Sequence, residues 1–147
     1  MNKFYSKIDF LYLGVISALG LITLALIFNA LEDFDIFQIL LAVEMLLTFV
    51  FAILFTYPCV YIFTEYKLVI KFGIFTYAKI PYANISDFTK SNSPIAAPAL
   101  SLDRILINFN KLQLVYGIKF LKTRNVLVSP KYEKDFLERL IEETRKK

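Results

Sequence analysis

Two long apolar stretches constrain this chain more than anything else in it. Phe10 to Leu31 reads FLYLGVISALGLITLALIFNAL and carries no charge, and Ile36 to Tyr57 reads IFQILLAVEMLLTFVFAILFTY with the single charge of Glu44. At about 1.5 Å per residue, a helix of either length reaches across a hydrocarbon core of roughly 30 Å. Inside such a core each backbone N–H and C=O has to be bonded within its own segment, which selects helices. The first stretch is too long for the apolar part of a signal peptide, and no small-x-small cleavage pattern precedes the acidic residues after it. Only Glu32-Asp33-Phe34-Asp35 separates the two stretches, so the chain has to turn back at once. Residues 1–57 therefore read as two transmembrane helices, about 10–31 and 36–57, in a hairpin.

Charge sets the orientation. Lys3 and Lys7 precede the first span and Lys67 and Lys71 follow the second, while the connecting turn has no Lys or Arg. By the positive-inside tendency both termini are expected in the cytoplasm, with the acidic turn facing outward, toward periplasm or exterior. Residues 58–147 hold 15 Lys+Arg against 8 Asp+Glu, and residues 1–57 hold 2 against 5. A basic domain beside an anionic inner leaflet is electrostatically favourable, and membrane lipid is an expected contact. No basic cluster interleaved with aromatic residues points to nucleic acid.

Composition narrows the chemistry. The chain has no histidine and one cysteine, which removes Ser-His and Cys-His catalysis, an internal disulfide and zinc sites built from several Cys and His. No two acids or lysines fall at a recognisable catalytic spacing, and no metal or cofactor site is expected. The reading is of a protein that is not an enzyme. Cys59, beside the second span, reads either as a buried small hydrophobe or as a juxtamembrane acylation site.

Glu44 is the one ionisable residue deep in a span. Counting from the turn, it lies about 12 Å down its helix, level with Thr23 on the antiparallel first helix. Two roles fit: a protonated Glu44 bonded to the Thr23 hydroxyl, or a proton-handling or partner contact in a homo-oligomer formed through the membrane helices. Gly14 and Ala18 form a small-xxx-small pair that lets another helix approach.

After Tyr57-Pro58 the texture turns to alternation. Leu68, Ile70 and Phe72 alternate with Lys67, Val69 and Lys71, the period of a half-buried strand. Gly73 supplies a turn, Phe75–Ile80 a return strand stopped by Pro81, and 85–89 a further short strand. The stretch SNSPIAAP at 91–98 reads as a loop. Arg104 to Phe109, Leu112 to Leu121 around Gly117, and Val126 to Val128 complete about seven strands, which must curl or close to bury a core. Ser129 fits a helix N-cap and Pro130 the first helical position. Tyr132, Phe136, Leu137, Leu140 and Ile141 then recur at helical spacing. Residues 58–147 thus form a small antiparallel sheet closed at one end by a C-terminal amphipathic helix, a pleckstrin-homology (PH) type of architecture. The whole chain classes as an α+β membrane protein.

The order YPCVYIFTEYKLVIKFGIF, KIPYANISDF, SPIAAPALSLDRILINF and LVSPKYEKDFLERL resembles the YyaB-like bacterial PH-domain family, small two-pass membrane proteins with a PH-like domain after the spans. The most specific elements are Gly73, Ile80-Pro81, the run Ala99-Leu100-Ser101-Leu102-Asp103-Arg104, and Ser129-Pro130. The segment 110–125 is longer than that pattern and extends a hairpin. The resemblance implies a tethered interaction module at the inner face of the membrane, holding a protein or peptide. Bacteriocin-immunity-type self-protection and a small oligomeric transport component using Glu44 are the alternatives. Arg104, Lys67 and Lys71 are the candidate binding residues. Asp103 is expected to cap the turn before its strand by accepting backbone N–H bonds, aided by Ser101, and Arg104 to be free to reach a neighbour.

Overall fold

The computed structural model describes residues 2–33, 35–91, 99–115 and 118–146, with side chains excepted at 33 and 118–120. Two helices, α1 (Phe10–Asp33) and α2 (Ile36–Thr56), form the hairpin. Asp35 starts α2 by accepting the Phe37 N–H at 3.3 Å. Almost none of either helix is buried within the molecule, so these are not core helices of a soluble domain. Their apolar outer surfaces, including Phe10, Leu11, Phe37 and Leu47, face outward, as a lipid solvent requires. Where they touch, a small residue eases the approach: a Cβ added at Gly20 would lie only 3.3 Å from the Phe49 ring.

The remaining elements make one antiparallel sheet of seven strands and a third helix. The strands are β1 (Lys3–Tyr5), β2 (Cys59–Phe63), β3 (Lys67–Phe72), β4 (Phe75–Pro81), β5 (Ile85–Ser91), β6 (Arg104–Val115) and β7 (Ile118–Val128), with α3 at Glu133–Arg145. The order is β1-β2-β3-β4-β6-β5, and β7 pairs β6. A single bridge between Ser6 and Pro130 brings the two ends of the sheet together. The inward set of each strand obeys the expected two-residue period. Leu68 and Ile70, Ile105, Ile107 and Phe109, and Val126 and Val128 are all buried, and Phe136 and Leu140 of α3 complete the core. Phe136 meets the Phe4, Tyr61 and Phe63 rings edge-on at 5.2–5.7 Å, a favoured aromatic geometry.

Three features depart from expectation. Lys3–Tyr5, which the sequence presents as a flank ahead of the first span, is the first strand and pairs with β2. The membrane hairpin is therefore an insertion between two neighbouring strands. Second, the separate strands expected at 104–109 and 112–121 are continuous pieces of a long β6–β7 hairpin. Residues 116–117, with Gly117, and residues 92–98 of the expected loop lie outside the described residues. Third, Ser129-Pro130 does not start α3. The helix begins at Glu133, and Tyr132 precedes it without a side-chain cap.

Candidate functional site

The junction of hairpin and sheet is the most densely bonded part of the molecule. Ser129, expected to cap α3, is instead fully buried, and its hydroxyl lies 2.7 Å from that of Ser6. The Ser129 N–H donates to the Tyr61 hydroxyl at 2.9 Å, and the Cys59 thiol approaches the same oxygen at 3.5 Å. Burial pushes the Cys59 thiol up to about 11 and raises the Tyr61 phenol as well. Cys59 is 2% exposed, which fits the buried-hydrophobe reading and leaves no access for acylation. At the ends of the spans, the Thr56 hydroxyl donates to the Ala52 carbonyl at 2.6 Å, so the Tyr12 hydroxyl 2.7 Å away is the donor to Thr56.

The run ALSLDR belongs to this junction, with its parts in other roles than the sequence implied. The Asp103 carboxylate does not cap a turn. It pairs with Lys7 at 3.1 Å and Lys90 at 3.3 Å, and Lys90 also reaches Glu133 at 3.4 Å. The Lys7 hydrogen bond, with that of Lys90, holds the Asp103 carboxyl below the usual carboxylate range. Backbone satisfaction falls to others: Ser101 Oγ accepts the Asp103 N–H at 3.1 Å, and the Asp9 carboxylate accepts the Leu102 N–H at 2.7 Å. Arg104 is 7% exposed rather than free, and its Nε donates to the Ser101 carbonyl. A cleft of about 210 Å³ between Asp9, Tyr12 and Val15 of the α1 entry and Leu100, Leu102 and Arg104 lies over this turn. Asp9 is the participant that sequence reading missed, because its partner is 93 residues away.

The other expected site residues are dispersed. Lys67 and Lys71 are exposed at opposite ends of β3, whereas Arg104 starts β6 opposite Ser91 of β5. β4 stands between β3 and β6, so the three do not converge. Pro81 ends β4 as anticipated. Gly73 has φ +59° at the β3–β4 turn, and a Cβ there would strike the Leu54 carbonyl oxygen and the Phe55 backbone. The turn is docked on the end of α2, where the Ile74 N–H donates to the Leu54 carbonyl at 3.0 Å and the Gly73 N–H to Pro58 at 3.1 Å. The Glu44–Thr23 bond is absent: the Thr23 hydroxyl donates to the Leu19 carbonyl at 2.8 Å, and Glu44 is exposed on the outer face of α2. The helix rotation that buries Thr23 against α2 turns Glu44 away from α1. Among the described residues, no group of three or more His, Cys, Asp or Glu is placed to hold a metal ion.

One surface stands apart from the well-packed body. The β6–β7 register breaks between Asn108 and Gln113, and of residues 110–115 on β6 only Val115 is buried. Leu112 and Leu114 alternate outward on it and are exposed, with Lys122 opposite Leu114. Strand β4 pairs with β6 only at Ala78–Val115. A groove of about 440 Å³ opens between Thr76, Tyr77 and Lys79 on one side and Leu112 and Leu114 on the other. Buried Asn84 ties the start of β5 to β6, exchanging hydrogen bonds of 2.8 and 2.7 Å with the Lys111 carbonyl and N–H. The outer edge of β7 has no strand partner among the described residues.

No curated protein and no solved structure matches the chain. The family model described as a bacterial PH domain matches residues 59–144, from the first residue of β2 to the penultimate residue of α3 and over more than half of the chain. With its curled antiparallel sheet, its closing C-terminal helix and two helices long and apolar enough to cross a membrane, this chain belongs to the bacterial PH-domain family.

Proposed function

We propose that the protein is a non-enzymatic, membrane-anchored platform whose PH-like domain holds a protein or peptide partner at the inner face of the bacterial plasma membrane. The observation that carries this reading is the groove beside the β6–β7 arm. Exposed Leu112 and Leu114 flank incompletely paired strand edges there, with Lys79 and Lys122 at hand. An extended segment with apolar and acidic side chains matches this surface: its backbone adds to a strand edge while alternate side chains meet the leucines and lysines. Four of the described acids around the junction and on α3, Asp103, Glu133, Glu142 and Glu143, are tied in ion pairs, which supports a non-catalytic role for them.

Anchoring supports the same reading. β1 and β2 pair directly on either side of the hairpin, which favours both ends of the hairpin on one side of the membrane, and the lysine distribution favours the cytoplasmic side. Tyr5, Tyr57 and Tyr132 are half-exposed around a cleft of about 330 Å³ beside the helix ends. Lys131 stands over the Tyr132 ring at 5.7 Å. Tyrosines and lysines at this level suit the headgroup layer, so lipid contact belongs to the anchor in this reading.

The test is affinity purification of the full chain from native membranes in mild detergent, beside a Leu112→Ser/Leu114→Ser variant and a Lys67→Ala/Lys71→Ala variant. A partner retained by the wild type and the lysine variant and lost from the leucine variant is the expected result. Recovery of the same proteins with all three, or of the chain alone, overturns the reading.

A further inference from the structure

Glu44 presents a physical problem that one copy of the chain does not solve. It sits eight residues into α2, on the face shared with Phe37, Leu40, Leu47 and Phe51, all of them exposed. Ala42, Met45 and Phe49, which turn toward α1, lie on the other side of the helix. Thr48, one turn further, is also exposed, and neither side chain has a hydrogen-bond partner among the described residues. Thr23 and Thr56, by contrast, bond the carbonyls four residues back. Glu44 thus leaves its carboxyl toward hydrocarbon on a face that is apolar apart from Thr48, and a group of that kind in a membrane calls for a partner.

We infer that this face of α2 is the contact surface for a second copy of the chain, with the two Glu44 carboxyl groups meeting near the middle of the membrane. Depth selects this occupant. Two copies insert in the same orientation, so Glu44 of each lies at the same level, and a twofold axis along the membrane normal brings them face to face. A protonated carboxyl both donates and accepts, so two of them satisfy each other reciprocally without a buried net charge. Own-chain α1 offers nothing at that level, because Thr23 is committed to Leu19 and faces α2. The leucines and phenylalanines on either side then pack copy against copy by close contact alone.

The experiment measures dimer formation of the full chain in liposomes at high lipid-to-protein ratio, by energy transfer between singly labelled molecules. Wild type and Glu44→Gln, which keeps a donor and an acceptor, are expected to dimerise alike. Glu44→Leu, fully compatible with a lipid-facing helix, is expected to weaken dimerisation at least tenfold. A second measurement does not depend on Glu44. In a Cys59→Ser background, Leu47→Cys is expected to form an intermolecular disulfide on mild oxidation, and Met45→Cys is not. Monomeric wild type, unweakened Glu44→Leu, or cross-linking at position 45 in place of 47 each overturns the inference. So does loss of a different membrane protein, rather than of self-association, from Glu44→Leu.

Discussion

Replacing Gly73 with alanine tests whether the domain is clamped to the second membrane helix. The residue has φ +59°, a backbone conformation that disfavours an L side chain by about 1–2 kcal/mol. The added Cβ also lands on backbone, at Leu54 O and Phe55. Backbone cannot rotate aside as a flexible side chain does, so the turn has to lift from α2. Lifting it loses the Ile74–Leu54 and Gly73–Pro58 hydrogen bonds, each worth about 1 kcal/mol net. The sum is roughly 3–4 kcal/mol, or a drop of roughly 12–30 °C in the midpoint of the sheet domain. The assay is thermal unfolding of the full chain in detergent, followed on the β-sheet signal. Gly14→Ala is the matched control: nothing lies within 4 Å of its Cβ position, so only helix propensity acts, by up to about 1 kcal/mol in the stabilising direction. A Gly73→Ala midpoint within a degree or two of wild type would refute the clamp.

Other perturbations probe the junction and its charges. Tyr61→Phe leaves the buried Ser129 N–H without its acceptor and is expected to destabilise by about 1–3 kcal/mol in the same melt, with no loss of membrane insertion. Cys59, 2% exposed with a thiol pushed up to about 11, is ionised in roughly one molecule in ten thousand at neutral pH. Maleimide is expected to label it only in denaturant, and rapid labelling of the folded chain would contradict the packing. Because the Asp103 carboxyl is held below its ordinary value of 3.8, its ion pairs stabilise the fold above that pH. That contribution is lost as pH falls through the lowered native value. Half-exposed as the pairs are, Asp103→Asn is expected to cost less than about 1 kcal/mol at pH 7 and progressively less as the pH is taken below 3.8. A melt series over that range checks it.

The sequence by itself determined the hairpin, the following antiparallel sheet and the closing helix, because each rests on a local signal. A charge-free run of 22 residues is long enough to span, and alternating or helical periods are legible within a few residues. Gly73 and Pro81 were legible for the same reason, since each acts on its own backbone. Tertiary structure decided what depends on partners far away in the chain. Lys3–Tyr5 is too short to show a period and becomes a strand only because β2 offers an edge 55 residues or more along. Ser129 has the local look of a helix cap, yet Ser6 engages its hydroxyl and Tyr61 its N–H. Asp103 and Arg104 exchanged their expected freedom in the same way. The side chain expected to serve the backbone faces two lysines, and the one expected to reach outward is buried against Ser101. The depth of Glu44 follows from counting residues, but its direction does not. Helix rotation is set by how small residues let α1 and α2 pack, and that packing leaves the carboxyl outside.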